Sequence, residues 1–187
     1  MKSLFLLILF SVIVVACKTP LNKATIYYNK YDDQLLDIIR QYDKLSAHHN
    51  FMCGFTDRTF KYFSIEIKTD TVRYVYNSAV RNFQLADSVI QFKIDTAGVR
   101  KMAIDMYKIK CLWVGKADFY PQKQKVTIDY LAFGMPIKKN PFNESKYLVV
   151  AYPQEKWSDS LKNYLVSRTG IQFLSDKAFF TVSNKFK

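Results

Sequence analysis

The chain has only two histidines, and they are adjacent: His48 and His49, with Cys53 shortly after. On a continuous helix His49 and Cys53 would sit one turn apart and could approach one metal ion, zinc being the ion that imidazole and thiolate share. A catalytic zinc site needs a third protein ligand, and no second Cys/His cluster occurs. The spacing therefore weighs toward a polar helix end beside a buried cysteine, and no cofactor is expected. Cys53 with His48 or His49 would also supply a thiol and a base, although neighbours in sequence are poor evidence for a dyad in space. The chain carries no GxSxG, HExxH, GxGxxG or GxxxxGK[ST] pattern. Asp32–Asp33, and Glu155 with Asp159, read as carboxylates placed to complement helix dipoles rather than as acid–base pairs.

Cys111 completes a second cysteine question. In an oxidising compartment Cys53 and Cys111 either form a disulfide or remain as separate buried thiols, and spacing does not choose between them. The formal charge of +12 is uneven. Residues 18–97 carry 11 basic and 9 acidic side chains, residues 98–187 carry 16 and 7. A basic surface steers anionic partners toward it, less so in salt. Lys108 and Lys110, then Lys123 and Lys125, would each share a face if extended, and Lys138–Lys139 adds a basic loop. Trp113, Phe119, Tyr120 and Tyr130 interleave with that charge. Exposed rings would let the mixture grip glycan or nucleic acid; rings used as core would not.

The elements that must position these groups are legible from periodicity. Leu35, Ile38, Ile39, Tyr42 and Leu45 make one stripe of an amphipathic helix from Tyr31 to about Ala47. Phe60–Lys68 and Thr71–Tyr76 alternate as a β-hairpin. Ser88–Asp95 reads as a strand. Asp95 or Thr96 caps a second helix, with Val99, Met102, Ala103 and Met106 facing inward. Ile109–Gly115 and Lys125–Phe133 read as strands about a turn at Pro121–Gln124. Tyr147–Tyr152 (YLVVAY) is a continuous apolar run suited to a central strand. Glu155–Arg168 is a third helix, and Ala178–Ser183 a closing strand. The pattern predicts an α+β fold: a largely antiparallel sheet with about three helices packed on it, on one face.

The chain opens with Lys2 ahead of an apolar run, Leu4–Ala16. About 13 helical residues span ~20 Å, short of the ~30 Å bilayer core and suited to a signal-peptide core. Its end, Val14-Val15-Ala16-Cys17, resembles the lipobox of bacterial lipoprotein precursors. The resemblance covers residues 1–17 alone. It implies cleavage by signal peptidase II after Ala16, diacylglycerol on the Cys17 thiol and acylation of its amine. Lys18, rather than Asp, follows the cysteine, which by the same resemblance favours the outer membrane, facing the periplasm. A non-lipidated signal cut near Ala16, or a short uncleaved anchor, are the competing readings.

The expected organisation is a signal peptide over 1–16, a lipidated cysteine and tether over 17–30, and one α+β domain over 31–187. The expected role is a lipid-anchored envelope protein with a non-enzymatic binding or interaction function. Its partners would be the membrane, through Cys17, and an envelope protein or anionic lipid or glycan. Export argues against nucleic acid. The alternative is a small periplasmic metal- or small-molecule-dependent enzyme.

Overall fold

The computed structural model describes residues 20–83, 89, 91–123, 125–134, 147–169 and 171–183. Three α-helices, α1 (Pro20–Leu45), α2 (Thr96–Lys108) and α3 (Asp159–Thr169), pack on an eight-stranded sheet. Its strands are β1 (Phe51–Phe55), β2 (Tyr62–Lys68), β3 (Arg73–Ala79), β4 (Cys111–Phe119), β5 (Val126–Gly134), β6 (Tyr147–Pro153), β7 (Gln172–Ser175) and β8 (Ala178–Ser183). They are ordered β3-β2-β1-β4-β5-β6-β8-β7, and every neighbouring pair is antiparallel. The fold is thus α+β with an antiparallel sheet.

The helices occupy both faces, which corrects the one-face expectation. Strand alternation divides the core. Val150 and Phe180 join the cluster containing Leu35, Ile38 and Tyr42 of α1 and Met102 and Met106 of α2. Their neighbours Ala151 and Phe179 point the other way, into a second cluster with Leu161 and Leu165 of α3. YLVVAY needs apolar residues at successive positions because both of its faces are covered, and β6 is central, between β5 and β8.

α1 begins at Pro20, eleven residues before the start read from the sequence. The expected tether through Lys30 is therefore mostly helix. Pro is tolerated in a first helical turn, where its missing N–H has no partner to lose. Ala24 and Tyr28 are buried, extending the Leu35–Tyr42 stripe backward, while Ile26, Asn29 and Lys30 face solvent. At its other end α1 stops at Leu45, and β1 starts at Phe51.

Two further boundaries differ. Gln91–Lys93 is a turn rather than a strand, with Lys93 at φ 55° interrupting the alternation; Ser88 and Ile90 lie outside the described residues. α3 begins at Asp159 rather than Glu155: the Ser158 hydroxyl accepts from the Leu161 amide at 3.3 Å, and Trp157 is buried before the helix starts. The helix α2 follows its expected cap, the Asp95 carboxylate accepting from Ala97 and Gly98 amides at 3.0 Å.

The strand registers define two ends of the sheet. One end holds Phe55, Tyr62, Ala79, Cys111 and Gly134. α1 enters there, with the Tyr27 hydroxyl donating to the Ile109 carbonyl and its ring 4.8 Å from that of Phe133. It leaves toward the opposite end, where Tyr42 packs on Phe51. α2 runs antiparallel to α1, Leu45 packing on Gly98 and Gln41 donating to Asp105 at 3.1 Å.

Candidate functional site

The histidine–cysteine spacing does not become a site. Because α1 ends at Leu45, His48 and His49 lie in a bend and Cys53 in a strand. Both histidines are exposed, His49 resting edge-on against Phe92 at 5.4 Å, while Cys53 is fully buried. Among the described residues no group of three or more His, Cys, Asp or Glu is placed to hold a metal ion. Cys53 and Cys111 are free thiols. Burial pushes both thiols above their ordinary range, in Cys53 with the nearby Cys111 adding to it. Neither is poised as a nucleophile at neutral pH. Cys17 lies outside the described residues.

The basic residues singled out in sequence separate. Lys108 ends α2 and pairs with Asp105 at 2.9 Å, whereas Lys110 occupies a left-handed turn at φ 56°. Lys123 and Lys125 flank the β4–β5 turn at the opposite end of the sheet, Lys125 paired with Asp118 at 3.0 Å. Trp113 is wholly buried, Phe119 and Tyr130 are half-buried, and Tyr120 is exposed. Lys138–Lys139 lies outside the described residues.

One cluster of charges is built into the helix–sheet interface. Lys116 Nζ of β4 lies 2.8 Å from Asp43 Oδ1 of α1 and 3.9 Å from Asp129 Oδ1 of β5. Gln154 Nε2 donates to Asp129 Oδ2 at 3.3 Å. Burial, and then the like charge of Asp43, raise the Asp129 carboxyl above its ordinary value, against the pull of Gln154 and Lys116. Two carboxylates sharing one cation brace α1 against the sheet. They line no part of the groove described next.

A groove of about 590 Å³ opens at the sheet end where α1 enters. It is assembled from three turns. The chain before β2 brings Phe60 and Lys61, the short 3₁₀ turn after β3 brings Val80 and Arg81, and the C-terminus of α2 brings Tyr107. The Val80 amide donates to the Lys61 carbonyl at 2.9 Å, which seats the first two turns side by side. Phe60, at φ 57°, is a non-glycine residue in left-handed backbone, a cost of roughly 1–2 kcal/mol offset by edge contact with Phe55 at 4.7 Å. Lys110 rims the groove, its ammonium 3.8 Å from the Tyr107 ring centroid and 5.1 Å from that of Phe60.

Lys61, Arg81 and Lys110 are exposed, and among the described residues no carboxylate lies within ion-pairing distance of them. The nearby Asp57 is engaged first by the Thr59 hydroxyl and amide, at 2.6 and 2.7 Å, and then by the charge of Lys61, which together hold its carboxyl below the usual range. The arrangement offers cations beside aromatic faces, suited to an anion attached to an apolar or ring-bearing body. Sequence reasoning singled out Lys110 but missed Phe60, Lys61, Arg81 and Tyr107 as its companions. Comparison of the chain with family models, with curated proteins and with solved structures finds no match in any of the three.

Proposed function

We propose that this is a lipid-anchored envelope protein, carrying lipid on Cys17, that binds an anionic envelope component without catalysing its conversion. The observation that carries the binding role is the groove rimmed by Lys61, Arg81 and Lys110. Three exposed cations without carboxylate partners at ion-pairing distance keep their field available to a ligand. Aromatic faces beneath one of them add contact area at little cost in side-chain entropy. The resemblance of Val14–Cys17 to a lipobox supports the anchor, and with it a place where anionic lipids and glycans are abundant. No helix among the described residues is long and apolar enough to cross a membrane.

The test is direct binding of the purified lipidated protein to phosphatidylglycerol, cardiolipin, lipopolysaccharide and peptidoglycan fragments. The triple variant Lys61→Gln, Arg81→Gln, Lys110→Asn is measured beside it. At least one of these components is expected to bind, with affinity falling tenfold or more in the variant. Equal binding by both proteins, or turnover of a defined compound, would overturn the reading.

A further inference from the structure

Resting on the proposed lipid anchor, we infer that the groove end of the sheet faces the membrane that holds the Cys17 lipid, and that the groove's cations engage anionic phospholipid headgroups of that membrane. Three observations lead there.

The first is reach. Only Lys18 and Thr19 separate Cys17 from the first residue of α1. Three residue steps extend at most ~11 Å, and Tyr27 lies about 10 Å further along the helix axis. Tyr27 is fastened to the sheet through its hydroxyl on the Ile109 carbonyl, and Lys110 is the next residue. α1 is itself buried along Ala24, Tyr28, Leu35 and Tyr42, so it cannot act as a loose leash. A domain on so short a lead is held with the start of α1 toward the bilayer; there Tyr27 touches Ile109 and Phe133 at the groove end, while Tyr28 reaches Ser175 of β7 at 3.2 Å.

The second is charge. Among the described connections at this end, Asp57, Arg58 and Lys61 precede β2, Arg81 follows β3 and Lys110 precedes β4. Their side chains sum to a formal +3. The described turns at the opposite end, between β2 and β3, β4 and β5, β6 and α3, and β7 and β8, sum to +1 by the same count. Each basic side chain close to an anionic membrane strengthens attachment roughly fivefold. The benefit decays within a Debye length, about 8 Å at physiological salt.

The third is the kind of apolar surface. Tyr62 and Tyr107, both lining the groove, are 53% and 46% exposed, against Tyr120 alone, at 61%, among the described tyrosines of the opposite end. Tyrosine settles at headgroup depth, where its ring is in the apolar zone and its hydroxyl is wet. A soluble ligand would account for a groove; it would not account for a groove placed beside the anchor with tyrosines turned outward.

Orientation can be read with one fluorophore at a time. Cys53 and Cys111 are buried, and Cys17 would be blocked by lipid, so an added surface cysteine takes the label alone. Asn82→Cys marks the groove end and Thr71→Cys the other end of the same hairpin, more than ~20 Å away at about 3.3 Å per strand residue. Each full-length lipidated protein is placed in phosphatidylcholine vesicles containing phosphatidylglycerol and brominated lipid. Quenching is expected to be about threefold or more greater at position 82 than at 71. That asymmetry should collapse in the background Lys61→Glu, Arg81→Glu, Lys110→Glu, or when phosphatidylglycerol is omitted. Equal quenching at the two positions in a protein that floats with pure phosphatidylcholine vesicles would overturn the orientation alone. Failure to float with pure phosphatidylcholine vesicles would overturn the anchor, and the orientation with it.

Discussion

The ammonium of Lys110 rests 3.8 Å from the centroid of the Tyr107 ring, three residues upstream and across the C-terminus of α2. The pairing depends on backbone, not on helix periodicity: Lys110 leaves the helix in a left-handed conformation at φ 56°, which folds its side chain back over the ring. A cation so placed is held by ~0.5–1 kcal/mol of attraction while remaining open to an anion. Lys110→Asn should separate the two roles. Asparagine accepts left-handed backbone better than other non-glycine residues, so thermal stability should change by no more than ~1 kcal/mol while anion binding weakens. A large loss of stability would mark Lys110 as a structural residue instead.

The two buried thiols give a prediction that is independent of function. With both thiols pushed up by burial, neither should react with a thiol reagent in the native protein at neutral pH. Unfolding without reductant should release both, in addition to any unmodified Cys17. Fewer reactive thiols than that would indicate a bridge between Cys53 and Cys111.

At Gly54 β1 lies close against β4. A Cβ there would stand 2.1 Å from the Leu112 carbonyl oxygen and 2.4 Å from the Trp113 ring, and Gly54 is paired with Trp113 across the strands. Backbone and a fully buried indole cannot retreat cheaply, so Gly54→Ala should cost roughly 3 kcal/mol or more. A variant that melts within a degree of the parent would show that the β1–β4 contact is looser than described.

The Asp43–Lys116–Asp129 cluster makes a prediction about pH. The Asp129 carboxyl is raised above 3.8 by burial first and Asp43 second. The folded state therefore holds this proton more tightly than the unfolded chain does. Its contribution is fully present below the unfolded value and is lost as pH rises through the folded one. Asp129→Asn should accordingly stabilise the protein at pH 7, by on the order of 1 kcal/mol, with the advantage vanishing below about pH 4. Thermal melts across that range check it; a destabilised variant at pH 7 would mean that Lys116 and Gln154 outweigh desolvation.

The parts of the fold legible in sequence were those where one periodicity ran unopposed. The Leu35–Tyr42 stripe, the Phe63–Ile67 alternation, the Asp95 cap and the apolar YLVVAY run all lie where expected. β1 was missed because it is short, carries Gly54 at its heart and follows two histidines that read as the end of a helix, although Phe51, Cys53 and Phe55 do alternate inward. The first turns of α1 were missed because Pro20 and the polar residues around it obscure Ala24 and Tyr28. The groove left no local signature: Phe60, Arg81 and Tyr107 are distant in sequence, and they meet only because β2, β3 and α2 end at the same edge. Two of its turns also rely on left-handed backbone at Phe60 and Lys110, where no glycine announces it.

The claim on which the functional reading rests is the lipid on Cys17, and the intact mass of the N-terminal peptide of protein isolated from the bacterial envelope tests it most directly. The account predicts a chain beginning at Cys17 and carrying diacylglycerol on its thiol and an acyl group on its amine, with Cys17→Ala accumulating as the uncut precursor. A mature chain beginning at Cys17 with a bare thiol, or normal maturation of Cys17→Ala, would contradict it.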